Sequence, residues 1–281
     1  MIAGPDAPNP ARAIAGTNDM DDRLERLLGF FRDRGRVAVA YSGGVDSSLT
    51  LWAAAKALGE DARGVFVRSE FICGADRARA AAIGEFLARE TGARIVVRDV
   101  ALLGQERVRA NPPERCYLCK TLVLEAVRTA AREELGVGAL LAEGTNADDD
   151  PARPGRRAVA EAGALSPLAA CGVNKAGVRE LARLAGLPNA EDPSNSCLAT
   201  RVPTGSELTF ARLAAVEALE QAARDLGLFD LRARVAPGDA GDTALLQVRP
   251  QQLLFAQGLY PRLAERARFA GFAGLTIGER S

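Results

Sequence analysis

Apolar and polar positions alternate along this chain with two different periods. From residue 21 to 34 ("DDRLERLLGFFRDR") apolar side chains recur at helical intervals, and Gly35 ends the run, which predicts an amphipathic helix. A short apolar strand follows at 36–41, then a helical pattern at 47–58 closed by Gly59. Strands are predicted at 62–69 and 93–100, separated by an Ala-rich helix at 75–91 that stops at Gly92. A helix over 116–135 and a strand at 138–146, running into the polar loop "EGTNADDD", complete the first half. Strands alternating with helices predict an α/β fold, a parallel sheet covered on both faces, and the near-uniformly apolar strands agree with that burial.

The pattern then changes. Residues 151–175 read as loop-rich, 176–186 as a short helix, and 188–205 ("PNAEDPSNSCLATRVPTG") as a long loop with three prolines and one cysteine. A loop of that length marks function or a linker, so a domain boundary is expected near it. Beyond it come a helix at 209–226, two strands ("LRARVAP" and "ALLQVRP") joined by "GDAGD", another helix and a final strand at 274–277. The expected organisation is a disordered lead-in over 1–19, a Rossmann-like parallel-sheet domain over 20–190 and a small α+β domain over 191–281. No internal repeat is visible.

Composition narrows the chemistry. With 281 residues and 48% hydrophobic content the chain builds one large or two modest cores. Lys and Arg together number 36, as do Asp and Glu, so no global basic field points to nucleic acid. No apolar run approaches a membrane span, and the N-terminus lacks the basic start and apolar core of a secretory signal, so a cytoplasmic protein is expected. Five cysteines, an odd number, do not read as a disulfide framework. There are no histidines, which excludes Ser-His-Asp and Cys-His catalysis and His-containing zinc sites. General acids and bases must come from Asp, Glu, Lys, Tyr or Cys.

The most informative stretch is "VAVAYSGGVDSSLTLWAA", residues 37–54. Glycines between a strand and a helix let the backbone approach an anion, and the helix start adds unpaired N–H groups and a positive dipole end. Ser42, Ser47 and Ser48 add hydroxyls to what is a phosphate cradle. It is neither a Walker loop, which needs a Lys after the glycines, nor the G-x-G-x-x-G dinucleotide fingerprint. Asp46 would repel a bare phosphate but suits Mg²⁺ bound to phosphates. The spacing S-G-G-x-D-S after a strand resembles the PP-loop of the N-type ATP pyrophosphatases. That resemblance implies ATP held at Ser42, Gly43, Gly44, Asp46 and Ser47, cleavage between the α and β phosphates, and adenylylation of a substrate oxygen.

Further motifs sharpen the resemblance. "NPPERCYLCK" (111–120), "EGTNADDDPARPG" (143–155), "LSPL" (165–168) and "DPSNSCLATR" (192–201) are similar, in that order, to the ATP-dependent sulfur transferase family called LarE, over roughly residues 20–235. This likeness implies conversion of the carboxylates of pyridinium-3,5-biscarboxylic acid mononucleotide to thiocarboxylates during synthesis of the nickel-pincer nucleotide of lactate racemase. One family type has a single cysteine at the position of Cys197, which surrenders its own sulfur and becomes dehydroalanine. Another type has three cysteines and holds a 4Fe-4S cluster that delivers added sulfide; Cys116, Cys119 and Cys197 match it. A symmetric homo-oligomer is also implied, with the small C-terminal domain as its expected interface.

The cysteines allow the same readings on chemical grounds. A C-x-x-C pair and a distant third thiolate suit an Fe–S cluster with one iron open to sulfide. A sacrificial or persulfide-bearing Cys197, a redox pair at Cys116 and Cys119, and an incomplete zinc site are the alternatives. Cys73 and Cys171 read as small packed residues. Adenylylation needs cations near the α-phosphate. Asp46 is the expected Mg²⁺ ligand, with Asp148 and Asp149 as further carboxylates or simply a solvated turn. Arg153 and Arg156 are candidates for phosphate contact, Arg115 and Lys120 for favouring thiolates, and Arg201 for pairing with a substrate carboxylate or phosphate; each also reads as a surface charge. Arg232 and Arg234 share one strand face and resemble a family pair that grips the substrate's phosphate. After them the chain departs from the family text: "VAPGDAGDTALLQV" lacks its His-Gly turn, and Gln247 stands near its acidic position. Two other functions compete: a tRNA-thiolating PP-loop enzyme, against which stand the neutral charge, few aromatics and no recognisable zinc finger, and a non-catalytic nucleotide or metal sensor.

Overall fold

The computed structural model describes residues 10–193 and 195–280, with side chains from residue 21 onward. Its elements are α1 (Pro10–Arg32), β1 (Val37–Tyr41), α2 (Val45–Leu58), β2 (Ala62–Arg68), α3 (Gly74–Thr91), β3 (Arg94–Asp99), α4 (Glu106–Arg109), α5 (Arg115–Leu135), β4 (Leu140–Ala142), α6 (Pro154–Glu161), α7 (Pro167–Ala170), α8 (Lys175–Leu184), α9 (Phe210–Asp225), β5 (Arg232–Ala236), β6 (Thr243–Val248), α10 (Leu253–Gly258), α11 (Tyr260–Phe269) and β7 (Gly274–Glu279). The first nine residues of the expected lead-in lie outside the described residues; the backbone is helical from Pro10.

Strands β3-β2-β1-β4 form one sheet in which every pair is parallel. Alternate residues of the central strands feed two cores. Val37, Val39 and Tyr41 of β1 face α1, α2, α3 and α8, with Leu27, Phe31, Leu49, Leu51 and Leu181. Ala38, with Val65 and Val67 of β2, faces Val127, Ala130 and Ala131 of α5. The order of strands places a switch point between β1 and β4: the chain builds outward from β1 to β3, then returns to the other side of β1. Beyond the carboxyl ends of strands at such a point, open α/β sheets bind ligands. The loops after β1 and β4 both end there.

The small sheet runs β5-β6-β7, with β5 and β6 antiparallel and β6 and β7 parallel. Its core joins Leu213, Leu219, Leu231, Leu246 and Leu263 to Phe71, Cys73 and Leu102 from the loops after β2 and β3 and to Val108 of α4. The α/β sheet with a small α+β region is thus as expected.

Several details differ from the sequence pattern. The expected strand 138–146 pairs with β1 only over Leu140–Ala142. Beyond that, Glu143 N–H donates to Leu165 O at 2.9 Å, and Leu165 N–H donates to Leu141 O at 2.7 Å. The loop-rich stretch 151–175 contains α6 and α7, each opened by a proline, whose fixed φ suits a first helical position. The single helix expected before the last strand is two, with Pro261 in the first turn of α11. The edge strand β3 is not buried on both faces; Val97 is 48% exposed. No described helix is long and apolar enough to cross a membrane.

Candidate functional site

The Ser-Gly-Gly turn closes on itself. Ser42 N–H donates to Ser47 Oγ at 3.1 Å, the two hydroxyls lie 3.0 Å apart, and Ser47 Oγ donates to Gly44 O at 3.0 Å. Gly44 is the N-cap of α2 and has no side chain to satisfy the helix's first N–H groups, so those remain for an anion. Gly43 has φ +80°, and a Cβ there would lie 2.6 Å from Ala80 Cα, so α3 packs directly on the turn. From the β4 side, Gly144 presses equally close: a Cβ would lie 2.8 Å from Ser47 N. Asn189, buried after α8, donates to Gly43 O at 2.9 Å and Ser48 Oγ at 3.0 Å. Ser48 is therefore fully buried and braces the turn rather than facing a ligand.

Asp46 projects from the first turn of α2. Its Oδ1 accepts from Asn146 Nδ2 at 3.1 Å and its Oδ2 from Lys175 Nζ. Beside it Glu143 is buried, accepting from Thr145 N–H at 3.0 Å and Ser166 Oγ at 2.8 Å, with Lys120 Nζ at 3.4 Å. Burial alone would raise the Glu143 carboxyl, but Lys120 and the Thr145 and Ser166 donors overcome it and hold it below its ordinary value.

The same crevice, about 570 Å³, is lined by Ser42, Gly44, Asp46, Ser47, Arg115, Cys116, Cys119, Lys120, Glu143 and Cys197. Cys116 and Cys119 stand in the first turns of α5, three residues apart and hence on one face. Cys197 arrives from the long loop, where Leu198 N–H donates to Phe71 O at 2.8 Å. Arg115 sits between them: its Nη1 donates to Cys197 Sγ at 3.8 Å, and its Nε to Asn111 Oδ1 at 2.9 Å. Burial would lower the Arg115 guanidinium, but the three thiols, Cys197 foremost, hold it above its ordinary value. Burial pushes the Cys119 thiol up to about 12 despite Arg115. Among the described residues no group of three His, Cys, Asp or Glu side chains has the arrangement of a single-ion site.

A second, more polar crevice of about 660 Å³ adjoins the first and shares Asp46, Asp149, Arg153 and Asn195 with it. Arg232, Arg234, Lys175 and Arg280 bring further positive charge. Arg232 and Arg234 point from one face of β5; Arg234 donates to Gln247 Oε1 at 2.6 Å and Thr200 O at 2.9 Å. Burial, then the nearby Arg201 charge, presses the Arg232 guanidinium below its ordinary value, a cost that a bound anion relieves.

Over 209 residues the chain is 32% identical to the pyridinium-3,5-bisthiocarboxylic acid mononucleotide synthase of Lactiplantibacillus plantarum, covering 74% of each. The chain belongs to the LarE family. An uncharacterized Synechocystis protein is also 32% identical, over 83% of this chain and 84% of its own length. No protein-family model matches.

Not every side chain expected at the LarE-family site faces it. Arg201 is 1% exposed; its donors go to Glu220, Ser196, Thr200, Asn195 and the Cys197 carbonyl. It shapes the Cys197 loop from behind. Arg156 turns toward Ser166 and Glu143. Asp148 and Asp149 line the second crevice while accepting from Lys175 N–H and Asn146 N–H. Cys73 is buried and accepts from Asp76 N–H at the start of α3, and Cys171 packs against α1 near Arg26 O. Sequence reasoning passed over Lys175, Glu143, Asn146, Asn189 and Arg280. Glu143 and Asn146 lay in a quoted motif and Asn189 in the long loop 188–205; Lys175 and Arg280 carry no local signal.

Proposed function

We propose that this LarE-family chain is an ATP-dependent sulfur transferase acting on pyridinium-3,5-biscarboxylic acid mononucleotide. The observation that carries this reading is the shared crevice: the Ser-Gly-Gly turn, Asp46 and three cysteines line one space, and Arg232 and Arg234 line its neighbour. The turn's N–H groups and the Ser42 and Ser47 hydroxyls receive the β and γ phosphates of ATP, and Asp46 would hold Mg²⁺ on them. The acceptor carboxylate, its nucleotide phosphate on Arg232 and Arg234, attacks the α-phosphorus. The bond to the β-phosphate breaks, pyrophosphate leaves, and an acyl adenylate remains. A sulfur nucleophile then attacks the acyl carbon and AMP departs. The name of the Lactiplantibacillus relative supports the product class.

The sulfur source follows from Cys116, Cys119 and Cys197. As a donor set they fit a 4Fe-4S cluster: three thiols around one space, no competing histidine, and a neighbouring Arg115 that offsets thiolate charge. Such a cluster, when bound, leaves one iron without a protein ligand and supplies sulfide there. The Arg115 donor on Cys197 Sγ, which favours a thiolate there, supports a second reading, in which Cys197 attacks the adenylate and its own Cβ–Sγ bond then breaks with loss of the Cα proton, leaving dehydroalanine.

The test is iron and acid-labile sulfide per protomer after anaerobic reconstitution, together with AMP and pyrophosphate release on adding ATP and the bis-carboxylic nucleotide. About four irons, lost in Cys197→Ala, support the cluster. An iron-free protein whose Cys197 loses the mass of H₂S during turnover supports the sacrificial route. No AMP or pyrophosphate with this acceptor refutes the function.

A further inference from the structure

Lys175 opens α8. Its backbone is held twice: Asn174 caps the helix through Gly177 N–H at 2.9 Å, and Lys175 N–H donates to Asp148 Oδ2 at 3.0 Å. The side chain is left to reach across to α2, where Nζ meets Asp46 Oδ2. Asn146 Nδ2 covers Oδ1 at 3.1 Å. Both oxygens of Asp46 therefore accept N–H donors. A magnesium ion needs an oxygen lone pair at short range, so an ammonium and the dication compete for one atom. Lys175 also lines two adjoining spaces, one beside Ser42, Gly43 and Gly44, the other beside Arg232 and Arg234. Its flexible four-carbon stem lets the ammonium swing from Asp46 toward either.

We propose that Lys175 is a nucleotide-contacting residue that covers Asp46 in the empty site. When ATP arrives, the ammonium leaves the carboxylate for a phosphate oxygen and uncovers Oδ2 for the divalent ion. Metal therefore enters with the nucleotide and not before it. The switch keeps charge balanced: the lysine loses one anionic partner and gains another, and Asp46 exchanges a monocation for a dication. This rests on the reading of the Ser-Gly-Gly turn as an ATP site.

The experiment measures two affinities on the full chain: Mn²⁺, a spectroscopic stand-in for Mg²⁺, by electron paramagnetic resonance without nucleotide, and α,β-methylene-ATP by calorimetry. The proteins are wild type, Lys175→Gln and the double variant Lys175→Gln/Asp46→Asn. Lys175→Gln is expected to bind Mn²⁺ about tenfold tighter and the ATP analogue about tenfold weaker, the size of one charge-assisted hydrogen bond each. Opposite signs cannot come from damage to the fold, which would weaken both. The Mn²⁺ gain must vanish in the double variant; a gain that persists places the ion elsewhere and overturns the proposal. Unchanged affinities, or two losses, in Lys175→Gln overturn it as well, while leaving the ATP reading intact. A wild type that binds no analogue overturns the ATP reading itself and this proposal with it.

Discussion

Replacing Arg201 by Met separates a positioning role from a substrate contact. Arg201 and Glu220 are buried to 1% and 2% side-chain exposure, with Nε and Oε1 2.8 Å apart. Removing the cation leaves a buried carboxylate and frees the Ser196 carbonyl, while the Cys197 carbonyl keeps its Thr200 donors. Breaking one partner of such a pair costs about 3–5 kcal/mol. Arg224 Nη2 still reaches Glu220 Oε2 at 3.0 Å, which puts the loss at the lower end, about 3 kcal/mol. At about 2–4 °C per kcal/mol for a chain approaching this size, the melting temperature falls by about 6–12 °C. Adding Glu220→Gln removes the unbalanced charge, keeps an acceptor for Ala233 N–H, and is expected to recover at least half of the loss. The assays are thermal unfolding by circular dichroism and iodoacetamide labelling of Cys197 followed by mass spectrometry, because a loosened loop changes the rate at Cys197. A loss below about 1 kcal/mol, the worth of an exposed ion pair, with unchanged labelling and weaker substrate binding would refute the buried-brace account and return Arg201 to the substrate.

The cysteines should differ in reactivity: with its thiol near 12, Cys119 at pH 8 is thiolate in only about one molecule in ten thousand, so it labels far more slowly than exposed Cys116. Equal labelling rates in the unfoldant-free protein would contradict the burial argument. Gly144→Ala drives a Cβ to within 2.8 Å of Ser47 N and is expected to cost about 1–3 kcal/mol and to weaken ATP binding; a variant with wild-type stability and affinity would show that the loop shifts freely. Glu143 titrates below its unfolded value near 4.5, so its contribution is complete above that pH and is lost as pH falls through the lowered folded value. Glu143→Gln should therefore flatten the acid limb of stability against pH, measured by urea unfolding between pH 3 and 6, and an unchanged limb would rule out this source (the pH range is about one unit and a half either side of the carboxylate reference).

Local chemistry determined much of this protein. The S-G-G-x-D-S spacing after an apolar strand needs only short-range rules, because strand, turn and helix start are contiguous, and the structure places all three as read. Alternating apolar strands and helices likewise pointed to a parallel sheet, because apolar run length and helical periodicity are local, although the pairing itself joins residues as distant as Val37 and Leu140. Elements that depend on distant partners were not legible. The extent of β4 is one such element: it pairs with β1 only over Leu140–Ala142, while Leu141 O and Glu143 N–H, on its opposite edge, bond to Leu165, more than twenty positions on. Arg201 reads as a substrate cation from its place beside Cys197, but Glu220 on α9 turns it inward, and no local pattern announces a partner nineteen residues away. Lys175 is an ordinary helix-start lysine in the sequence; only packing α8 against α2 brings it to Asp46, 129 positions earlier. The three cysteines share the same logic: their residue types named the chemistry, while the meeting of α5 with the loop before α9 decided that Arg115 and three thiols line one crevice.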